Sequence, residues 1–194
     1  GTPEQRAKYM GGAVPGKGGK LLRGSFDLTE PLPYAGVDGS MLSGTMRVEK
    51  WEEGKEPVLK IEKRGRFITN MAYANFVTAA VGSADERIKG STMVILEETD
   101  PGLYDRGVAT KKMTHQLSST HDPVFSLSIP ASRIIGGYDI VEGKIVPRLD
   151  HGQIIEAVFS HTRVTVGIMT ASKLLSAVEP LIRYHRQRYR GTAQ

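Results

Sequence analysis

The chain has 194 residues, of which 39% are hydrophobic, 24% are charged and 22 are glycine. That is the make-up of a globular chain, long enough to bury about 70% of its unfolded surface, and not of a disordered one. Its 26 basic and 21 acidic residues leave a net charge of +5, a mild excess that speaks to solubility unless it clusters. The absence of cysteine excludes disulfides, thiolate-bound zinc, iron–sulfur clusters and thiol chemistry.

Residues 1–20 contain no apolar stretch of the kind a secretory signal needs. The longest uncharged run, Phe67 to Ala84, is interrupted by Thr, Asn, Gly and Ser and does not read as a membrane-spanning helix. No membrane partner is expected, and the cytoplasm is the default location, or the mitochondrial matrix in a eukaryote. The chain opens at Gly1 rather than Met, as a piece of a longer protein would.

In chain order, Thr2 can cap a short helix opened by Pro3 and Glu4, with Tyr9 and Met10 on its apolar side. The run Gly11 to Gly19 then reads as a mobile loop. It holds Gly11-x-x-x-x-Gly16-Lys17, close to a phosphate-binding P-loop. Gly18, however, stands where the magnesium-binding hydroxyl is required, and no strand precedes the run. A connector is the preferred reading.

Residues 21–146 alternate short β-rich runs with turn residues. The runs are Leu21–Leu28, Met41–Glu49, Val58–Lys63, Phe76–Val81, Thr92–Leu96 and Val124–Ile129. Turn signals fall at Pro31-Leu32-Pro33, Glu53-Gly54, Asp100-Pro101-Gly102 and Gly136-Gly137. Strands at this spacing with no helix between them predict an antiparallel barrel or sandwich. From 150 to 190 the pattern becomes helical: Ile154, Val158, Thr165, Ile168, Ala171, Leu175, Val178 and Ile182 recur at three- and four-residue steps. Such a helix is roughly 60 Å long and outruns the β region, so other helices or another subunit must cover its far half. Pro180 is expected to kink or break it near Glu179.

Candidate chemistry is sparse. The histidines at 115, 121, 151, 161 and 185 form no i,i+4 pair and no HExxH, so no metal site is expected. No Gly-x-Ser-x-Gly elbow is present. Arg183, Arg186, Arg188 and Arg190 alternate with Tyr184, His185 and Tyr189. Three readings of that cluster stand: nucleic-acid binding, a solvated helix end suited to the helix dipole, or an anion site for a phosphorylated cofactor. The segments Phe26 to Pro31 and Phe67 to Asn70 each put a threonine near a strand end beside apolar residues. Taken alone, these are ordinary strand threonines; the sharper reading has their hydroxyls and backbone amides facing a flat heteroaromatic ring.

Read together, these segments resemble the acyl-CoA dehydrogenase family in the family's own order. Gly1-Thr2-Pro3-Glu4-Gln5-Arg6-Ala7-Lys8-Tyr9 is similar to its G-T/S-x-E-Q-x-x-x-Y stretch, and Thr29-Glu30-Pro31 to its T-E-P. Phe67-Ile68-Thr69-Asn70 resembles W/F-I-T-N, and Asp100-Pro101-Gly102, after the strand Val94 to Glu98, resembles T/D-P-G. Ser118-Ser119-Thr120 and Ile129-Pro130 resemble S-x-T and V-P; Phe159-Ser160-His161-Thr162-Arg163 resembles F-D-x-x-R; and Arg188 to Gly191 falls where R-x-x-F-G is expected.

The resemblance implies a mainly β protein with α: an antiparallel β-barrel, the family's middle domain, flanked by a short N-terminal and a long C-terminal helix. It lays out residues 1–20 as the end of an N-terminal helical domain and its linker, 21–146 as the barrel, and 147–194 as the start of a C-terminal helical domain. It implies FAD as cofactor, with Thr29, Phe67, Ile68 and Thr69 at the isoalloxazine ring and Arg188 on the pyrophosphate, usually across a subunit boundary. Ser160, His161, Thr162 and Arg163 map to the acyl-CoA contacts.

The implied reaction is α,β-desaturation of an acyl-CoA thioester in fatty acid metabolism. A carboxylate takes the α-proton and hydride goes to the flavin. The electrons pass on to an electron-transferring flavoprotein, and the protein is a homo-oligomer, dimer or tetramer. Nucleic acid is then an unneeded partner. The alternative is a non-catalytic or DNA-binding homologue.

Several positions depart from the family pattern. The family's usual catalytic glutamate lies beyond residue 194, and Thr162 occupies the place of the variant base. Glu156 is the in-chain alternative. Residues 32–38 lack the glycine-serine loop that follows T-E-P, Ser160 replaces Asp, and the last motif lacks its Phe. The chain by itself is expected to be inactive.

Overall fold

The structure, a computed structural model, describes residues 1–16, 18–34, 39–110, 119–188 and 191. It divides into two compact units, Gly1–Ile154 and Ile155–Gln194.

The first unit opens with helix α1, Pro3–Met10. Thr2 Oγ1 accepts the Gln5 amide and Gln5 Oε1 accepts the Thr2 amide, a reciprocal capping box. The Gln5 side chain does more than cap. Its Nε2 donates to the carbonyls of Ser132 and Ile134 at 2.8 and 2.7 Å, which fastens α1 to the β region. Tyr9 is buried as expected, its hydroxyl donating to Glu97 and its ring 4.8 Å from that of Phe76. Met10 is exposed instead, because α1 lies against the sheet on its Gln5–Tyr9 side only. The glycine run begins as a 3₁₀ turn, Gly11–Ala13; Lys17 of the P-loop-like motif lies outside the described residues.

Among the described residues nine strands follow: β1 Gly24–Asp27, β2 Thr45–Lys50, β3 Val58–Arg64, β4 Phe76–Ser83, β5 Ser91–Glu97, β6 Gly102–Ala109, β7 His121–Pro130, β8 Tyr138–Val141 and β9 Lys144–Pro147. The first seven form one sheet with pairings β1–β4, β4–β2, β2–β3, β3–β7 and β7–β6, while β5 pairs with β4; β8 and β9 form a separate hairpin.

The sheet is mixed, which corrects the expected antiparallel barrel. β4 runs parallel to both β1 and β2. The antiparallel β2–β3 hairpin carries the chain out and back, so β4 returns beside β1 in β1's own direction. Among the described residues β5 and β6 do not pair, and the sheet is a half-barrel.

The core fills the concave side. In β3 the inward positions are Leu59, Ile61 and Lys63; β5 is buried on both faces from Thr92 to Leu96; and Phe125, Leu127 and Ile129 line β7. β6 escaped the sequence reading because its eight residues form no alternating apolar run. Its backbone pairing with β7 holds it, and it bulges at Gly107, where φ is +72° and a Cβ would meet the Asp122 carbonyl.

Helix α2, His151–Gln187, begins in the first unit and forms the described part of the second. Asp150 and Gln153 cap its start reciprocally. It continues through Pro180, so the break that was one of the two expected effects there does not occur. One missing amide does not end a helix whose other turns keep their bonds. At 37 residues it is about 56 Å long. By length and composition it suffices to cross a membrane, with a window of mean hydropathy 1.2. Phe67 to Ala84, in contrast, is a turn followed by β4.

Candidate functional site: an edge built from two distant segments

β1 ends at Asp27, and the chain continues through Leu28, Thr29 and Glu30. The segment after β3, Gly65 to Asn70, lies beside it. The Arg66 amide donates to the Thr29 carbonyl at 2.8 Å, Ser25 Oγ donates to the Thr69 carbonyl at 3.1 Å, and the Asn70 side chain donates to the Gly24 carbonyl at 3.0 Å. The two threonine-bearing segments singled out in the sequence are therefore stitched into one edge, though 40 positions separate Thr29 from Thr69 (69 minus 29).

A third segment braces this edge from behind. Ile68 and His121 exchange both backbone bonds, at 2.8 and 3.1 Å. Ser119 Oγ accepts the Asn70 amide, and Asp122 Oδ1 accepts both the Phe67 amide and the Thr110 hydroxyl. Phe67 and Asn70 have positive φ, 59° and 65°, an uncommon conformation for such residues, and one held here by these bonds. Ile68 turns its side chain into the core, at 2% exposure. Phe67 is half-buried beneath the Arg66 guanidinium, 4.8 Å from the ring centroid. Thr29 and Thr69 are exposed, and neither hydroxyl bonds another described residue.

Beneath the edge lie charges that the sequence reading did not single out. Lys63 and Glu30 form a fully buried ion pair at 2.6 Å, and the amides of Ser43 and Gly44 also donate to Glu30. Burial pushes the Glu30 carboxyl up, but the Lys63 bond and those two amides outweigh it and hold the group below the usual carboxylate range. Asp27 is buried alongside. A signal for both was present: Lys63 occupies an inward position in the Leu59, Ile61 alternation, and Asp27 an inward position after Ser25. An open groove of about 560 Å³ adjoins these residues, lined among others by Pro31, Tyr34, Arg47, Lys63 and Arg64.

The remaining candidates lie on or just past α2. Ser160 Oγ, His161 Nδ1 and Thr162 Oγ1 all bond carbonyls of their own helix, at Ala157, Ala157 and Val158. The Arg163 guanidinium lies 5.0 Å from the Phe159 ring centroid, and that of Arg188 5.6 Å from Tyr184. Glu156 is exposed. Arg163 and Arg188 are 25 positions apart (188 minus 163), with Arg188 just past the end of α2. Arg183 pairs with Glu179 at 3.0 Å. His115, Ser118, Tyr189, Arg190 and the loop residues 35–38 lie outside the described residues.

A mixed half-barrel followed by one long helix is a fold with known counterparts. No family model matches this chain, and no curated protein matches it either. Solved structures do. Butyryl-CoA dehydrogenase from Megasphaera elsdenii aligns over 100% of this chain and 45% of its own, at 26% identity and a TM-score of 0.70. An acyl-CoA dehydrogenase from Bacillus anthracis, complexed with FAD, aligns over 99% of this chain and 29% of its own, at 25% identity and 0.70. A probable acyl-CoA dehydrogenase from Mycobacterium abscessus, at 20% identity and 0.67, covers 100% and 46% and shares the fold.

The fold is therefore similar to that of acyl-CoA dehydrogenases. The resemblance read from the sequence holds in three dimensions along the whole chain, which spans less than half the length of these structures.

Proposed function

We propose that this chain is part of an FAD-dependent acyl-CoA dehydrogenase, and that the Thr29–Thr69 edge receives the flavin ring. The observation that carries the reading is the pair of exposed threonine hydroxyls, Thr29 and Thr69, neither bonded to another described residue, held on one edge that also carries the half-buried Phe67. Such donors suit the polar rim of a flat heteroaromatic ring, and the phenyl ring offers it an apolar face. Ile68 acts as the internal anchor of the segment, since its backbone is spent on His121. Arg188 would meet the cofactor's pyrophosphate in a neighbouring subunit.

Residues 1–20, 21–146 and 147–194 are then the end of an N-terminal helical domain, the flavin-binding β-domain and the start of a C-terminal helical domain. When bound, FAD supplies a hydride acceptor for α,β-desaturation of an acyl-CoA thioester. The chain's own hydroxyls would hold the ring's rim in register and steady charge arising there. Ser160, His161, Thr162 and Arg163 would serve the acyl-CoA once their hydroxyls and ring leave the helix carbonyls they now bond. An electron-transferring flavoprotein, the cytoplasm and a homo-oligomer complete the reading. The exposed apolar residues of α2, among them Ile168, Leu174 and Leu175, favour an assembly.

An FAD titration of the chain, followed by flavin absorbance and fluorescence, tests the edge. Saturable binding with a shifted spectrum, weakened in Thr69→Val, is expected. Affinity unchanged by Thr69→Val would remove the ring from this edge, and no binding would show that this β unit does not hold it unaided.

A further inference from the structure

The charges beneath the Thr29–Thr69 edge do not balance. Lys63 and Glu30 are each 0% exposed at the side chain and committed to one another at 2.6 Å. Asp27, three residues before Glu30, is also 0% exposed, and neither of its carboxyl oxygens has a hydrogen-bond partner among the described residues. The backbone closes tightly over it. A Cβ on Gly65 would sit 2.5 Å from Asp27 Oδ1 and 2.7 Å from the Ile68 side chain, so this position is built for glycine.

The charged groups acting on Asp27 are Lys63, from β3, and Glu30, from its own segment: one cation between two acids. A negative charge on Asp27 would be dry, unbonded and next to a second carboxylate whose cation is already taken. Each of those conditions favours the neutral acid.

We propose that Asp27 carries a proton in the folded protein and works as a switch for the edge above it. Neutral, it lets the segments that follow β1 and β3 close on each other and keeps Thr29 and Thr69 on one edge; ionised, it parts them. Burial raises its pKa to about 7, Lys63 pulling it down and Glu30 pushing it up, so the change falls near neutral pH. The bond from the Arg66 amide to the Thr29 carbonyl joins the two segments within two residues of Asp27, and it is the first that separation would break.

The sign for stability follows from a folded-state value above the ordinary one. Stability from Asp27 is fully present below about pH 4 and is lost as the pH rises through about 7. The protonation itself stands on burial and charge count; only its consequence for a bound ring rests on the flavin reading.

The test is a titration of the whole chain labelled at the aspartate carboxyl carbons, read by NMR, with amide exchange of Arg66 measured in the same samples. The expected midpoint for Asp27 is about 7, with Arg66 protection falling across the same range once intrinsic exchange is divided out. In Asp27→Asn, neutral and of the same shape, that fall should vanish. A midpoint near the ordinary value of about 3.9 would overturn the protonation. Arg66 protection that ignores the titration, or that falls equally in Asp27→Asn, would overturn the switch. If the Asn variant does not fold, the unaltered chain still decides, through the midpoint and the coincidence of the two curves. Neither readout uses FAD, so a failed flavin titration leaves this result intact.

Discussion

The two units of this chain use their apolar residues in opposite ways. In Gly1–Ile154 they close on themselves: Leu59, Ile61, Leu127 and Ile129 have no exposed surface, and the polar residues among them are paired or crowded. In Ile155–Gln194 most apolar residues of α2 beyond its first turns stay open, with Leu175 at 71% and Met169 at 66% exposure. The polar residues differ in the same way. Around Thr29 and Thr69 they bond across long sequence distances and leave two hydroxyls spare. Along α2, Ser160, His161 and Thr162 bond the turn before them or one another. A region that bonds at long range can present a site; a region that bonds only locally waits for something else to pack against it.

If that contrast is real, truncating the two units should cost very different amounts. Leu127→Ala should destabilise the fold by about 2–5 kcal/mol, while Leu174→Ala should stay within about 0.5 kcal/mol. Chemical denaturation followed through Trp51, the single tryptophan, which packs against the core, measures both. Equal losses would erase the distinction.

The open face of α2 should also drive self-association. Sedimentation at rising concentration should show oligomers, and Leu175→Glu should weaken them at least tenfold, about 1.4 kcal/mol. A monomer at every concentration would break this side of the comparison. The smallest expected effect belongs to the anchor of α1. Thr2→Ala removes half of the capping box and should cost about 1 kcal/mol, read as a lowered denaturation midpoint.

Much of the fold was legible in the residues. Thr2 and Pro3 marked α1, the β-rich runs marked six of the strands, and the three- and four-residue period marked α2. What escaped was whatever depends on a partner strand. β6 has no pattern of its own and exists because β7 offers it backbone bonds. The parallel placement of β4 beside β1 and β2 is a matter of connection, not of composition. At Pro180 a local rule that sees the lost amide predicts a kink or a break, and the intact turns around it keep the helix from breaking. At the site, Thr29 and Thr69 were noticed as a pair of similar segments, but Asp27, Glu30 and Lys63 were not. Their types suit a surface, and only their inward register makes them unusual.

The sequence by itself determined both helices and six of the strands, that no cysteine chemistry is possible, and which threonines resemble the family pattern. Those are properties of residue type and short-range period. Only the tertiary structure decided that the two threonine segments share an edge, that the sheet is mixed, and that one lysine lies buried with two acids. Sequence spacing cannot report these, because burial and charge balance depend on atoms brought together from distant parts of the chain.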